Sequence, residues 1–155
     1  QSFALLPLLS AYENVELPMR IAGVGAKERS YRTNEVLDMV GLARRAKHRP
    51  YELSGGEQQR ISIARAVAMR PDVILADEPT GELDSVNASE IFGLFRHMVS
   101  EEGMSVVATT HDRTLIDMSD QIYTVHNGML ELNESGVNDY DNSQFKKPAT
   151  VTGSK

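Results

Sequence analysis

Apolar and polar positions recur along this chain at two different periods. Residues 33–40 read as the end of a helix, with Val36, Leu37 and Val40 on one face and Gly41 as its stop. Pro50 then interrupts the chain. Residues 57–69 repeat the helical spacing with Ile61, Ala64 and Ala68, and Pro71 lies just past their end. The short run 73–76 is wholly apolar, the pattern of a strand covered on both faces. Residues 89–99 carry a clear stripe of Ile91, Leu94, Phe95 and Met98, which predicts a helix. A second β-rich run spans 105–110, and Asp112 is placed to cap a short helix through Met118. The runs 121–125 and 129–132 flank His126-Asn127-Gly128, where Asn-Gly predicts a hairpin turn. From Asn133 onward the chain is polar and aperiodic, and residues 133–155 are expected to form a disordered tail. Strand, helix and strand in succession from 73 to 125 predict an α/β fold with a mostly parallel sheet covered by helices.

Composition narrows this picture only slightly. A chain of 155 residues, 41% hydrophobic and 25% charged, has the make-up of one ordinary globular domain. No apolar run approaches the roughly 20 residues needed to span a bilayer, so any membrane role would be indirect. Cysteine is absent, which excludes disulfides and thiolate metal sites. The net charge of −6 is unevenly placed: residues 19–52 hold eight Lys or Arg against four Asp or Glu, and residues 53–132 hold five against thirteen. The basic group Arg44, Arg45, Lys47, His48 and Arg49 suits nucleic acid, lipid headgroups or nucleotide phosphate, or simply a solvated helix end. No aromatic side chains interleave with these charges as a base-stacking platform requires, so no nucleic-acid partner is expected.

The candidate chemistry lies in two segments. LSGGEQQR occupies residues 53–60, and VILADEPTGELD runs over 73–84, so that Asp77 falls 17 residues beyond Arg60. Ser54-Gly55-Gly56 opens a helix, where free amides, the helix dipole and the Ser54 hydroxyl can meet an anion. Glycine also lets the backbone approach a phosphate closely. Asp77 follows four apolar residues, so a strand delivers its carboxylate to a sheet edge, where phosphoryl-transfer sites hold Mg²⁺. Glu78 points elsewhere by strand alternation and can orient a water and accept its proton. His111, in Thr110-His111-Asp112 at the end of the second strand, can contact a γ-phosphate or orient the water together with Glu78. Both segments fall at the carboxyl ends of predicted strands, where parallel α/β sheets carry their sites. His48, His97 and His126 lack such a context and read as structural. No G-x-x-x-x-G-K-[ST] phosphate loop occurs in these residues.

With these motifs in view, the chain resembles the carboxyl-terminal two-thirds of an ATP-binding cassette (ABC) transporter ATPase subunit. LSGGEQQR is similar to the family signature, VILADE to the Walker B strand, GELD to the D-loop and Thr110-His111-Asp112 to the switch histidine region. QSFALLPLLSAYENVELPM resembles the Q-loop segment, with Gln1 at the position of its glutamine. The wording of residues 5–19, with GEQQR in the signature, is most similar to the subgroup serving lipoprotein release, macrolide-type export and cell division. Glu82 departs from the D-loop pattern and adds a negative charge there.

The resemblance implies the carboxyl-terminal part of a P-loop NTPase core plus a small helical subdomain. Residues 1–18 would be the Q-loop and the entry to the helical subdomain, 19–52 the subdomain, and 53–132 part of the RecA-like core. It implies ATP and Mg²⁺ as cofactors. Two cassettes, identical or different, would close head to tail over two ATP molecules. Ser54, Gly55, Gly56 and Glu57 would then serve ATP held by the partner, and Asp84 would cross the interface. Asp77 and Gln1 would address the metal, with Glu78, His111 and Gln1 as the catalytic group. Closure would drive an integral membrane permease from the cytoplasmic face. Lacking a phosphate loop and beginning without Met, the chain is expected to be a piece of a longer subunit, inactive alone. DNA-repair and chromosome ATPases share the signature, but only about fifty residues separate Gln1 from it here, without the long coiled coil those proteins insert. A translation-factor ATPase with two cassettes is the other alternative, and the transporter-like segment ENVELPM disfavours it.

Overall fold

The computed structural model describes residues 3–132, so Gln1 and the predicted tail lie outside the described residues. Contacts divide the chain into two units, Gln1–Leu115 and Ile116–Lys155.

The first unit begins with two helices. Helix α1 (Ala11–Ile21) starts at Ser10, whose hydroxyl accepts from the Glu13 amide while the Glu13 carboxylate accepts from the Ser10 amide. This reciprocal capping box satisfies two otherwise open donors. Periodicity alone does not find α1, because its inner face of Ala11, Asn14, Val15 and Met19 includes an amide and Pro18 lies in its last turn. Helix α2 (Ala26–Met39) is longer than the periodic stretch 33–40 and starts seven residues earlier. Its opening AKERSYR is polar and buries only Arg32, so it leaves no apolar stripe to read. The expected stop is present: Gly41 has φ +72 and Leu42 N–H returns to the Leu37 carbonyl at 2.8 Å.

Two short 3₁₀ turns, Ala43–Arg45 and Pro50–Glu52, lead into α3 (Gly55–Val67). Between them, the carbonyls of His48 and Ala46 accept the first-turn amides of Ala11 and Tyr12. Arg45 donates to Glu57 at 3.1 Å. The basic segment is therefore partly occupied in capping α1 and pairing with α3. Ile61, Ala64 and Ala68 are buried as the spacing predicts, in one cluster with Val15, Met19, Val36 and Leu37. At the far end of α3, buried Arg32 donates to the carbonyls of Val67 (2.9 Å) and Ala68 (3.3 Å), closing the helix from α2.

Strand β1 (Val73–Asp77) and strand β2 (Ser105–Thr109) pair in parallel, in a register running from Val73 opposite Ser105 to Asp77 opposite Thr109. Helix α4 (Ser85–Glu102) makes the crossover. Its stripe Ile91, Leu94, Phe95 and Met98 is buried as predicted, and Gly103 ends it at φ +67. It begins four residues before the predicted start because Asp84 caps it. One expectation fails. The run 73–76 predicts burial on both faces, yet Ile74 is buried while Leu75 on the opposite face is 80% exposed. The helices of this unit cover one face of the strand pair, and no described residue of the same unit covers Leu75 on the other.

In the second unit, β3 (Tyr123–His126) and β4 (Met129–Leu132) form the predicted antiparallel hairpin. Asn127 and Gly128 both have positive φ, +49 and +78, as a type I′ turn requires. Short helix α5 (Arg113–Asp117) lies at the division between the units in sequence, and its Thr114 amide donates to Asp112 as expected. Among the described residues no helix is long and apolar enough to cross a membrane.

Candidate functional site at the strand ends

The parallel register sets the site. Asp77 and Thr109 are cross-strand partners, and the Thr109 hydroxyl donates to Asp77 Oδ1 at 2.6 Å. The next amide, that of Glu78, donates to the Thr109 carbonyl at 3.0 Å. Glu78 itself adopts a left-handed backbone, φ +44, which is uncommon for a residue with a side chain and costs energy unless its surroundings hold it. The chain then turns sharply, with Gly81 N–H returning to the Glu78 carbonyl at 3.1 Å and Leu83 N–H to Thr80 at 3.0 Å. Buried Thr80 donates to Asp112 at 3.5 Å, tying this turn to the end of β2.

The kink brings Glu78 to His111. Glu78 Oε1 lies 2.9 Å from His111 Nδ1, with the imidazole 83% exposed and the carboxylate side chain 33% exposed. The hydrogen bond and charge of Glu78 raise the His111 pKa above the ordinary 6.5, because the carboxylate favours the imidazolium. Asp77, Glu78 and His111 thus form one group, as the sequence predicts. Gln1, which the resemblance would place with them, lies outside the described residues.

The signature forms a second group at the start of α3. Ser54 is its N-cap: Ser54 Oγ accepts from the Glu57 amide at 3.2 Å, and Glu57 Oε2 accepts from the Ser54 amide at 2.8 Å. Those bonds, with Arg45 adding its charge, hold the Glu57 carboxyl below its ordinary range. Glu57 is thereby committed within the chain to its cap and its ion pair. The amides of Gly55 and Gly56 stand at the first two helical positions, where an α-helix supplies no internal acceptor. The amide of exposed Gly55 remains available to an anion, whereas Gly56 is buried.

Asp84 caps α4, accepting from the amides of Val86 and Asn87 at 3.0 Å each and from Asn87 Nδ2 at 2.7 Å. The Asn87 amide leads the causes that lower its pKa. Asn87 in turn packs against the signature: a Cβ on Gly56 would overlap Asn87 Oδ1. Gly56 is thus required by close approach, and the two predicted segments meet through a residue that sequence reasoning omits. It also misses Thr109 and Gln59, whose side-chain amide donates to the Pro79 carbonyl at 2.9 Å. Cross-strand register and helix-to-loop docking give no local sign in a single sequence.

A cleft of about 260 Å³ borders Asp77, Glu78, Gln59, Leu75 and Phe3. Ligand pockets commonly measure about 300–1,000 Å³, so this cleft does not by itself make a nucleotide site. The Asp77 carboxylate is exposed and has one oxygen engaged by Thr109. Among the described residues no cluster of three or more His, Cys, Asp or Glu is arranged to hold a metal ion. This donor set fits Mg²⁺, which takes one or two carboxylates and completes its shell with substrate phosphate and water.

An α/β unit whose parallel strands carry Asp77 and Glu78 at one end and His111 at the next matches the P-loop NTPase fold of solved ATP-binding cassettes. The sequence model of the ABC transporter family matches residues 1–81, more than half of the chain, and the protein belongs to that family. An uncharacterized ABC transporter ATP-binding protein of Thermotoga maritima is 52% identical over 131 residues, covering 84% of this chain and 56% of the relative. The lipoprotein-releasing system ATP-binding protein LolD of Bacteroides fragilis is 49% identical over 126 residues, covering 81% and 57%. Among solved structures, the dimeric cassette MJ0796 bound to ADP and Pi superposes with a TM-score of 0.73 at 44% identity, covering 84% of this chain and 58% of that one. The chain therefore spans a little over half the length of the relatives it matches.

Proposed function

We propose that this chain carries the signature and the water-activating part of an ABC transporter subunit that binds and hydrolyses ATP. The observation that carries the reading is the Glu78–His111 pair beside Asp77, at the ends of two parallel strands. Glu78 orients a water in line with the γ-phosphate and accepts its proton as the new P–O bond forms and ADP leaves. His111, protonated more readily beside Glu78, donates to the γ-phosphate oxygens. Asp77 would hold Mg²⁺, which would supply charge neutralisation for the nucleotide phosphates. The β- and γ-phosphates also need a phosphate loop, which residues 1–155 do not contain, so on their own these residues would bind ATP negligibly.

The open Gly55 amide and the Ser54 hydroxyl, both on exposed residues, with Gly56 packed directly behind them, support a role toward ATP held by a second cassette subunit, identical or different. The dimeric state of the MJ0796 structure supports the same arrangement. Closure of that dimer would move an integral membrane permease gripped at the helical subdomain that residues 5–19 enter, placing the subunit at the cytoplasmic membrane surface. Gln1 would join Asp77 at the metal and report nucleotide state. Asp84 would reach across the dimer interface from the start of α4. The likeness to LolD supports the lipoprotein-release and macrolide-export subgroup, which residues 5–19 also resemble.

The test is ATP turnover by the full-length protein that carries these residues together with a phosphate loop. Glu78→Gln keeps the shape of the side chain and removes the base. It is expected to abolish turnover while retaining ATP and trapping a closed dimer. Hydrolysis by that variant at the parent rate would overturn the assignment.

A further inference from the structure

The turn that aims Glu78 is held from two sides. On the strand side, Thr109 receives the Glu78 amide, and Glu78 receives the Gly81 amide. On the other side stands α3. Gln59, half-buried on its second turn, donates from Nε2 to the carbonyl of buried Pro79 at 2.9 Å. Proline has no amide hydrogen, so this carbonyl is the backbone polar group through which residue 79 can be gripped. The grip falls one residue after a backbone in the left-handed region, φ +44, a conformation that persists only where the surroundings over-determine it.

Two further contacts join α3 to α4, the helix that follows this turn. Gly56 is packed against Asn87 so closely that no Cβ fits, and Arg60 pairs with Glu90 on α4. The N-terminus of α3 carries exposed Ser54 and Gly55, with the Gly55 amide open to an anion, and buried Gly56 beside them.

We propose that Gln59 is a positioning residue for Glu78: it makes the aim of that carboxylate depend on the position of α3. The proposal rests on the functional reading above. On that reading the start of α3 touches ATP held by a second subunit, and the Glu78 turn serves the chain's own ATP. Gln59 then links the two sites within one chain. Engagement of the signature by the partner's γ-phosphate is passed along a rigid helix to the carbonyl that follows the base.

The test uses the full-length protein with Gln59→Leu and Gln59→Glu. Neither side chain can donate to the Pro79 carbonyl at neutral pH, and the second keeps length and polarity. Both should lower kcat on the order of tenfold or more, the scale expected when a reacting group is misplaced by a fraction of an ångström to an ångström. KM for ATP and the thermal midpoint should stay near those of the parent. In a Glu78→Gln background the closed ATP dimer should still form. Without nucleotide, amide exchange across residues 78–83 should accelerate in both variants. Unchanged turnover would overturn the proposal. So would a defect confined to Gln59→Glu, since charge repulsion by Glu78 would explain it, and so would loss of the closed dimer, which would place the effect on α3 itself. If the parent shows no ATP turnover, the functional reading fails, and the nucleotide-free exchange measurement still decides whether Gln59 holds the turn.

Discussion

His111 Nδ1 lies 2.9 Å from Glu78 Oε1 although the two residues are separated by a helix and a second strand. The contact exists because parallel pairing places both strand ends at one edge and because Glu78 turns left-handed there. Its electrostatic consequence has a definite sign. The His111 pKa is raised in the folded protein, chiefly by the Glu78 hydrogen bond. The pair therefore contributes fully below the ordinary histidine value of 6.5 and is lost as pH rises through the raised folded value. An imidazole titration followed by NMR, without nucleotide, should give a midpoint above 6.5 that falls toward it in Glu78→Gln. An identical midpoint in both proteins would contradict the pairing. The effect on overall stability should be slight, because the imidazole is largely in water.

Ser54 has two separable roles. As N-cap of α3 it satisfies the Glu57 amide, so Ser54→Ala should lower unfolding free energy by about 1 kcal/mol, read from urea denaturation of the full-length protein. As a donor toward a second subunit's ATP, it should be blocked outright by Ser54→Arg. That variant is expected to bind ATP on its own side and yet fail to form a closed dimer in a Glu78→Gln background. Loss of its own ATP binding would count against the trans role.

Helices α3 and α4 announce themselves because their buried faces are apolar at regular spacing, and the hairpin because Asn127-Gly128 favours positive φ at two successive positions. The site motifs are equally visible: Asp77, Glu78 and His111 stand at strand ends and come together. Less visible are features set by partners remote in sequence. Thr109 matters only through register with Asp77, and Asn87 only through its approach to Gly56. Helix α1 hides because an amide occupies its inner face. The apolar run 73–76 predicts cover that the described residues of the same unit do not supply for Leu75, since periodicity reports what a strand can bury and not what lies against it.

Gly56→Ala should test the junction between the signature and α4. The new methyl would collide with Asn87 Oδ1, so the Asn87 amide must swing away and release Asp84 Oδ2. Overpacking of this kind costs about 1–3 kcal/mol. Asn87→Ala removes the obstacle, so the double variant should recover most of the loss caused by Gly56→Ala. A double-mutant cycle measured by denaturation reads the coupling directly. Strict additivity of the two substitutions would show that the junction is looser than its geometry.

Asn14 gives the strongest stability prediction. It is fully buried on α1, and the two hydrogens of its amide nitrogen are shared among the carbonyls of Leu6, Leu9 and Ser10 while its oxygen accepts from the Leu6 amide. One side chain thus shapes residues 6–10, the segment leading into α1. Asn14→Ala leaves the Leu9 carbonyl and the Leu6 amide without this partner, while the Leu6 and Ser10 carbonyls keep the amides of Leu9 and Asn14, and each group that water cannot reach costs about 1–3 kcal/mol. Asn14→Asp should be worse near neutral pH, because an ionised carboxylate faces three carbonyl oxygens. Burial and those carbonyls would raise its pKa in the folded state, so its penalty appears as pH rises above the unfolded carboxyl value and shrinks on acidification. Urea midpoints of the two variants taken from neutral pH to about pH 4 should therefore converge, because protonation restores one donor to the introduced carboxyl while the alanine methyl gains none. A gap independent of pH would mean that residue 14 does not face these carbonyls in solution.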